Sequence, residues 1–409
     1  MRVIVFALNG CPAGWLGAYG NDWVGTPHLD RLAAEGVVFD RHIADVPGGV
    51  GAPGAGCLSI RVRANHPDTD APDEFYAGWG EVFDARPRPD DDSPLDELLR
   101  AFPALLDRLA AVPDFLLWIE TDRLIPPWDV QQDVFEAYLD DEIEEERTED
   151  DDEAYLDDEV EDEEAAEEEL VEVVEEDETE VDEPATAAEP VPPWADPPTG
   201  LFDRADLDAW DYLQRTFAAV VTKLDAELGV LFDQLRARGL DRTAAWVVTS
   251  NYGHPLGEHG QLGLHRPWLH EELVHLPLVL RLPGAGHAGR RVPGFTQPPD
   301  VVATIRALLG APPEGSGFDL LPVARGEAES ARAFAITALE LNGAAELAIR
   351  THEWALLVPT RTPDGDPPRE PRLYEKPDDR WEVNDLCARN LERADELEAL
   401  LRMAREVTS

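Results

Sequence analysis

Val3-Ile4-Val5-Phe6-Ala7-Leu8, running into Asn9-Gly10, and Ala245-Trp246-Val247-Val248-Thr249-Ser250, running into Asn251-Tyr252-Gly253, decide the fold of this 409-residue chain. Each is a short, unbroken apolar run closed by turn-forming residues, the pattern of a strand buried on both faces of a parallel sheet. In an open α/β sheet, ligands bind beyond the carboxyl ends of the strands, so the residues after these runs are where chemistry is expected. Both exits carry neutral side chains.

Working outward, Leu207, Trp210, Leu213, Phe217, Val220, Leu224, Leu228, Leu231 and Leu235 step by threes and fours, which predicts a long helix packed on the sheet. Gly239 ends it, and the Ala245 strand follows at once, one half of a βαβ crossover. Thr26-Pro27 predicts a capped helix over His28 to Glu35 stopped at Gly36, and Val37-Val38-Phe39 returns to the sheet. Phe115 to Ile119 and Leu276 to Leu282 read as further strands, and Asp300 to Leu309 as a helix capped at Asp300 and stopped at Gly310. Asp45 to Ala55 reads as loop. Glu346 to Ile349 and Trp354 to Val358 look like antiparallel strands, and Leu391 to Val407 like a terminal helix.

Four stretches, LNGCPAGWLGAYGNDWVGTPHLDRLAAEGVVFD (8 to 40), FLLWIETDRLIPPWD (115 to 129), TSNYGHPLGEHGQLGLHRPWLHEELVHLPLVLRLPG (249 to 284) and RLYEKPDDRWEVNDL (372 to 386), resemble the sulfatase family, a branch of the alkaline-phosphatase superfamily. The resemblance implies an α/β fold: a mainly parallel central sheet flanked by helices, with a small C-terminal α+β subdomain. It places a sulfatase-like domain at 1–326, interrupted by an acidic and Pro-rich insertion at 140–198, and the subdomain at 327–409.

It also implies what the chemistry needs. Members of the family hold calcium or another divalent cation with carboxylates and an amide, because a hard cation wants anionic oxygens. A cysteine or serine in a CxPxR-type motif supplies the nucleophile, and lysine and histidine meet the developing anion and the leaving group. Carried over residue by residue, these groups are missing. The metal positions hold Asn9, Gly10, Asn251 and Tyr252; the nucleophile and its arginine fall on Gly51 and Ala55. The histidine of the Pro-His-x-Pro pattern falls on Ile125, and the lysine of the HGxxxK pattern on Leu264. A shifted reading takes Cys57-Leu58-Ser59-Ile60-Arg61 as CxSxR, with Cys57 as nucleophile, and His265 stands one residue from the lost lysine. Asn9, Asn251, Tyr252 and His265 are then the candidate substrate-binding residues. Gly253, Gly257, Glu258, His259 and Gly260 keep the family's loop pattern, with His259 and Glu258 bracing it.

The formal charge of −52 is unevenly placed. Asp140 to Glu183 holds 29 acidic residues against Arg147 alone, −28 over 44 residues, a solvated low-complexity insertion by composition. Such a field excludes nucleic acid and anionic membranes as partners. Cys11, Cys57 and Cys387 are scattered and odd in number, which fits reduced thiols. Six of the ten histidines fall between His254 and His287 at spacings unlike those of metal sites. No run approaches the roughly 18 apolar residues of a membrane span, and the first apolar run is too short for a signal peptide's core. The cytoplasm is the expected location.

The favoured reading is a catalytically degenerate sulfatase, without cofactor, that binds or regulates; a sulfated or phosphorylated ligand or a cationic protein is its expected partner. Two rivals stay open: a sulfate or phosphate ester hydrolase with a non-standard site, and an interaction protein working through its acidic segment.

Overall fold

The computed structural model describes residues 1–47, 56–64, 78–85, 93, 95–139, 191–363 and 367–408. The strands in chain order are β1 (Arg2–Leu8), β2 (Val37–Ile43), β3 (Leu58–Ala64), β4 (Glu81–Asp84), β5 (Phe115–Thr121), β6 (Gly200–Leu201), β7 (Ala244–Thr249), β8 (Gln261–Leu262), β9 (His275–Leu276), β10 (Leu278–Arg281), β11 (Arg290–Thr296), β12 (Ala335–Leu341), β13 (Ala344–Arg350), β14 (Trp354–Arg361) and β15 (Arg372–Glu375). The main sheet runs β11-β2-β10-β7-β1-β5-β3-β4, with β9 also on β2. Every pairing along it is parallel except those of β9 and β10.

Two cores explain the unbroken apolar runs. Ile4, Phe6, Leu8, Leu117, Trp246 and Val248 point to one face, where the helix Leu207–Ala237 lies with Phe232 edge-on to Phe6 at 5.1 Å. Val3, Val5, Ala7, Trp118, Ala245 and Val247 point to the other, against Val301 and Ile305 of the helix Pro298–Leu308. Alternate side chains of each central strand thus enter different cores, so no position could be polar without cost. The smaller antiparallel sheet β12-β13-β14-β15 carries the C-terminal helix Leu391–Thr408 through Ile349, Leu356, Leu373, Leu397 and Leu401.

Three local expectations are corrected. Thr26 makes no side-chain cap on the helix Pro27–Ala34; its hydroxyl accepts from the Gly17 amide instead. The cap comes from the long helix, where the Asp225 carboxylate accepts the His28 and Leu29 amides at 3.0 and 2.8 Å. The second helix begins at Pro298, with Gln297 as its cap and Asp300 at the third position reaching back to the Gln297 amide at 2.9 Å, a capping box. The single strand expected over Leu276 to Leu282 is split at Pro277, which has no amide proton to give. The Tyr19 hydroxyl fills that break, accepting from the Leu278 amide at 2.7 Å. Gly51, Ala55 and the acidic stretch up to residue 190 lie outside the described residues.

Candidate functional site at the strand exits

Asn9 and Asn251 meet because β1 and β7 are parallel neighbours in register, Ala7 beside Thr249. The Asn251 side-chain amide donates to Asn9 Oδ1 at 2.7 Å, and both residues are buried. The Asn9 backbone amide donates to the Thr121 carbonyl of β5, and the Gly10 amide to that of Tyr252, each at 2.9 Å. Gly10 has φ of +81°, and a Cβ there would lie 2.5 Å from Ile125 Cδ1, so the Ile125 side chain closes over the glycine. Leu264 packs against the same apolar cluster as Tyr252, with Ile43, Leu269 and Leu273. Burial pushes the Tyr252 phenol up to about 12, with the Asp122 and Glu120 carboxylates adding to the rise, so the hydroxyl stays neutral.

Asn9, Gly10, Ile125, Asn251 and Tyr252 therefore converge at one place, while Leu264 shares with it only the apolar cluster that Tyr252 packs on. His265 is exposed and held by its backbone, its amide donating to the Gly263 carbonyl at 3.1 Å and its carbonyl accepting the Asn342 amide at 2.8 Å. Cys57 is at the other end of the sheet. Leu58 stands level with Phe115, as Arg2 does, which puts Cys57 about 25 Å from Asn9 at strand rise. Its thiol is pushed up by burial. Arg61 is fully buried in mid-strand, paired with Glu120 and lying over the Trp79 ring at 5.7 Å. Spacing alone suggested a nucleophile motif; the register separates it from the strand exits.

The fit of a divalent cation can be judged from the donors. Asn9 Oδ1 already accepts the Asn251 amide, and Asn251 Oδ1 is buried with no hydrogen-bond partner. One free amide oxygen is a poor match for a cation that takes six to eight oxygens, several of them charged. Among the described residues no group of three acidic, histidine or cysteine side chains is placed to hold a metal. The four positions do not fit calcium.

The charged groups that sequence reasoning missed lie where the loop after β7 meets the small sheet. Glu382 accepts from His270 Nδ1 at 2.8 Å, Arg350 Nη2 at 2.9 Å and Lys376 Nζ at 3.1 Å. Glu271 faces the same two cations at 3.4 and 3.1 Å and His275 at 3.1 Å. His259 stacks on His270 with ring centres 3.7 Å apart, bonds to Glu272 at 2.7 Å and reaches the Glu382 carbonyl at 3.1 Å. Burial opposes charge on Glu382, yet Arg350 and Lys376 overcome it and hold the carboxyl down at about 2. Burial also opposes charge on His259, and its bond to Glu272 raises it nonetheless. His259 thus braces the loop. His254 is buried between Phe217 and Trp128, and burial lowers it to about 4.

Comparison with known proteins agrees with this architecture. No family profile matches the chain. A multifunctional alkaline phosphatase superfamily protein of Trinickia caryophylli is 33% identical over 118 residues, 27% of this chain and 22% of that protein. An N-acetylglucosamine-6-O-sulfatase of Bacteroides thetaiotaomicron is 33% identical over 129 residues, 30% of this chain and 23% of that protein. The match thus spans under a quarter of the length of these curated relatives. Among solved structures, the phosphonate monoester hydrolase of Agrobacterium radiobacter has a TM-score of 0.68 at 16% identity, covering 100% of this chain and 96% of that one. A putative sulfatase from Bacteroides fragilis has a TM-score of 0.69 at 16% identity, covering 99% and 95%. In fold the chain is like these hydrolases and sulfatases, and its local sequence matches are to proteins of the alkaline-phosphatase superfamily.

Proposed function

We propose that this chain is a catalytically degenerate sulfatase whose role is to bind or regulate. One observation carries the reading: where the resembled family places charged groups, Asn9 and Asn251 hydrogen-bond to each other and Ile125 closes over Gly10. With Asn9 Oδ1 taken by that bond, the pair offers a dication one uncommitted and uncharged oxygen, Asn251 Oδ1. Ile125 and Leu264 can neither donate a proton nor carry charge, so a leaving oxygen would find no acid at those positions. The division at Gly326 and a cytoplasmic location belong to the same proposal, as does a partner role for the acidic segment. No described helix is long and apolar enough to cross a membrane.

The test is elemental analysis of the purified full chain together with turnover of an aryl sulfate and an aryl phosphate. The expected result is no stoichiometric divalent ion and no turnover above that of the heat-treated protein. Turnover that survives rigorous purification and is lost in Asn251→Ala would replace this reading with that of an active ester hydrolase.

A further inference from the structure

We propose a second site, away from the strand exits, that binds a small phosphate monoester. It is a cavity of about 240 Å³ between the carboxyl end of β2 and the small sheet. Its cations are Arg41, Arg291, Arg350, Lys376 and Arg380, and its carboxylates are Asp40 and Glu271. The charges do not balance. Asp40 pairs with Arg291, while Glu271 and the adjoining Glu382 are shared by Arg350 and Lys376. Arg41 and Arg380 have no carboxylate partner among the described residues: Arg41 contacts the His352 ring, and Arg380 the Tyr19 carbonyl at 3.4 Å. A surplus of two positive charges therefore surrounds this one hollow, in a chain whose net charge is −52.

A second observation also points to a ligand. Arg350 is buried, and its Nη1 has no hydrogen-bond partner. A buried guanidinium nitrogen without an acceptor costs free energy, which an anionic oxygen in the cavity would recover. Two surplus charges and an orphan fork nitrogen suit a doubly charged tetrahedral head group. Tyr19, Ile43, Phe295 and Pro377 supply an apolar wall, and the volume leaves room for a compact organic body behind the head. β2 lies three strands from β1 in the sheet, about 14 Å across at strand spacing, so this hollow is separate from the amide pair.

The probes are phenyl phosphate, phenyl sulfate and inorganic phosphate, titrated calorimetrically into the full chain at neutral pH. Phenyl phosphate should bind most tightly, because it alone combines the dianion with an apolar body. Arg41→Gln and Arg380→Gln should each weaken it about tenfold, the usual effect of losing a charge-assisted hydrogen bond. Arg238→Gln, which removes a surface charge paired with Asp107, should leave it unchanged. Neither cavity arginine holds a carboxylate, and circular dichroism checks that each variant folds. If one does not, the other still reads the site. Raising sodium chloride should weaken wild-type binding, since the site works through charge. No binding to wild type, equal loss in Arg238→Gln, no loss in both cavity variants, or binding indifferent to salt would each overturn the site. Turnover at the strand exits would end the degenerate reading without touching this one, and absent phosphate binding would do the reverse.

Discussion

Replacing Glu382 by glutamine should uncouple the small sheet from the loop after β7, and the structure gives the size of the effect by two routes. The substitution keeps shape and backbone but puts an amide where one carboxylate oxygen accepts from Arg350 and Lys376 and the other from His270. Glu271 is then left to compensate both cations. Breaking a buried ion pair by neutralising one partner costs about 3–5 kcal/mol, because the other charge stays buried. Independently, a carboxyl lowered from 4.5 to about 2 contributes about 3 kcal/mol at neutral pH, taking about 1.36 kcal/mol per unit. The folded pKa is depressed, so this stability is present above the unfolded value and is lost as pH falls from 4.5 towards 2. Urea unfolding of wild type and Glu382→Gln should differ by about 3 kcal/mol at neutral pH, with the gap more than halved near pH 3, as linkage requires. A gap below about 1 kcal/mol at neutral pH, or one of equal size at both, would show that the ion cluster does not bind the two sheets as argued.

Three further outcomes follow from single contacts. Burial, and next Glu272, raise the Glu258 carboxyl to about 8, so its stabilising contribution is present at low pH and lost as pH rises through that value. Melting curves should show Glu258→Gln gaining on wild type between mildly acid and alkaline solution; parallel profiles would refute the assignment. A Cβ on Gly253 would lie 2.0 Å from the Glu272 carbonyl oxygen, so Gly253→Ala should cost about 3 kcal/mol or prevent folding. Gly286→Ala, whose nearest contact would be an ordinary 3.7 Å, should be close to neutral in the same denaturation assay. Asn251→Asp puts two oxygens face to face in the buried amide pair and should cost about 3 kcal/mol in chemical unfolding. An unchanged midpoint would mean that water reaches the pair.

What could be read from the sequence followed from periodicity. β1, β5 and β7 are unbroken apolar runs because each faces two cores, and the helix Leu207–Ala237 shows its period because it is buried from Leu213 onward, although Leu207 and Trp210, the first members of the expected stripe, are exposed. The meeting of Asn9 with Asn251 was likewise legible, since adjacent parallel strands end side by side. What failed depended on geometry that a local pattern does not show, most of it set by partners far along the chain. Thr26 looked like a cap until Asp225, 197 residues from His28, took the helix amides. Asp300 looked like a cap because an acid at the third position of a capping box has the same composition as one at the first. Cys57 and Arg61 have the spacing of a motif, but spacing cannot tell which end of a strand a residue occupies. The ion cluster joins residues from the loop after β7, from β13 and from the segment after β15, and no local pattern announces such a meeting.

The neutrality of the strand exits gains meaning from the charges the molecule does bury. Glu382, Arg350 and Arg61 are all almost wholly enclosed, and each has its opposite charge within hydrogen-bonding distance. This fold therefore tolerates buried ions wherever partners are supplied, which is the condition physics sets. Among the described groups named at this place, a carboxylate at position 9 or 251 would meet no opposite charge: they are an amide, a glycine, Ile125 and a phenol held neutral, on which the Asp122 and Glu120 carboxylates already act. A bound cation could supply the missing charge, but the pair itself leaves free a single amide carbonyl. The asparagines are thus the side chains that let these two strand ends close without a metal. Arg41 and Arg380, without a carboxylate partner among the described residues, line instead the cavity beside β2.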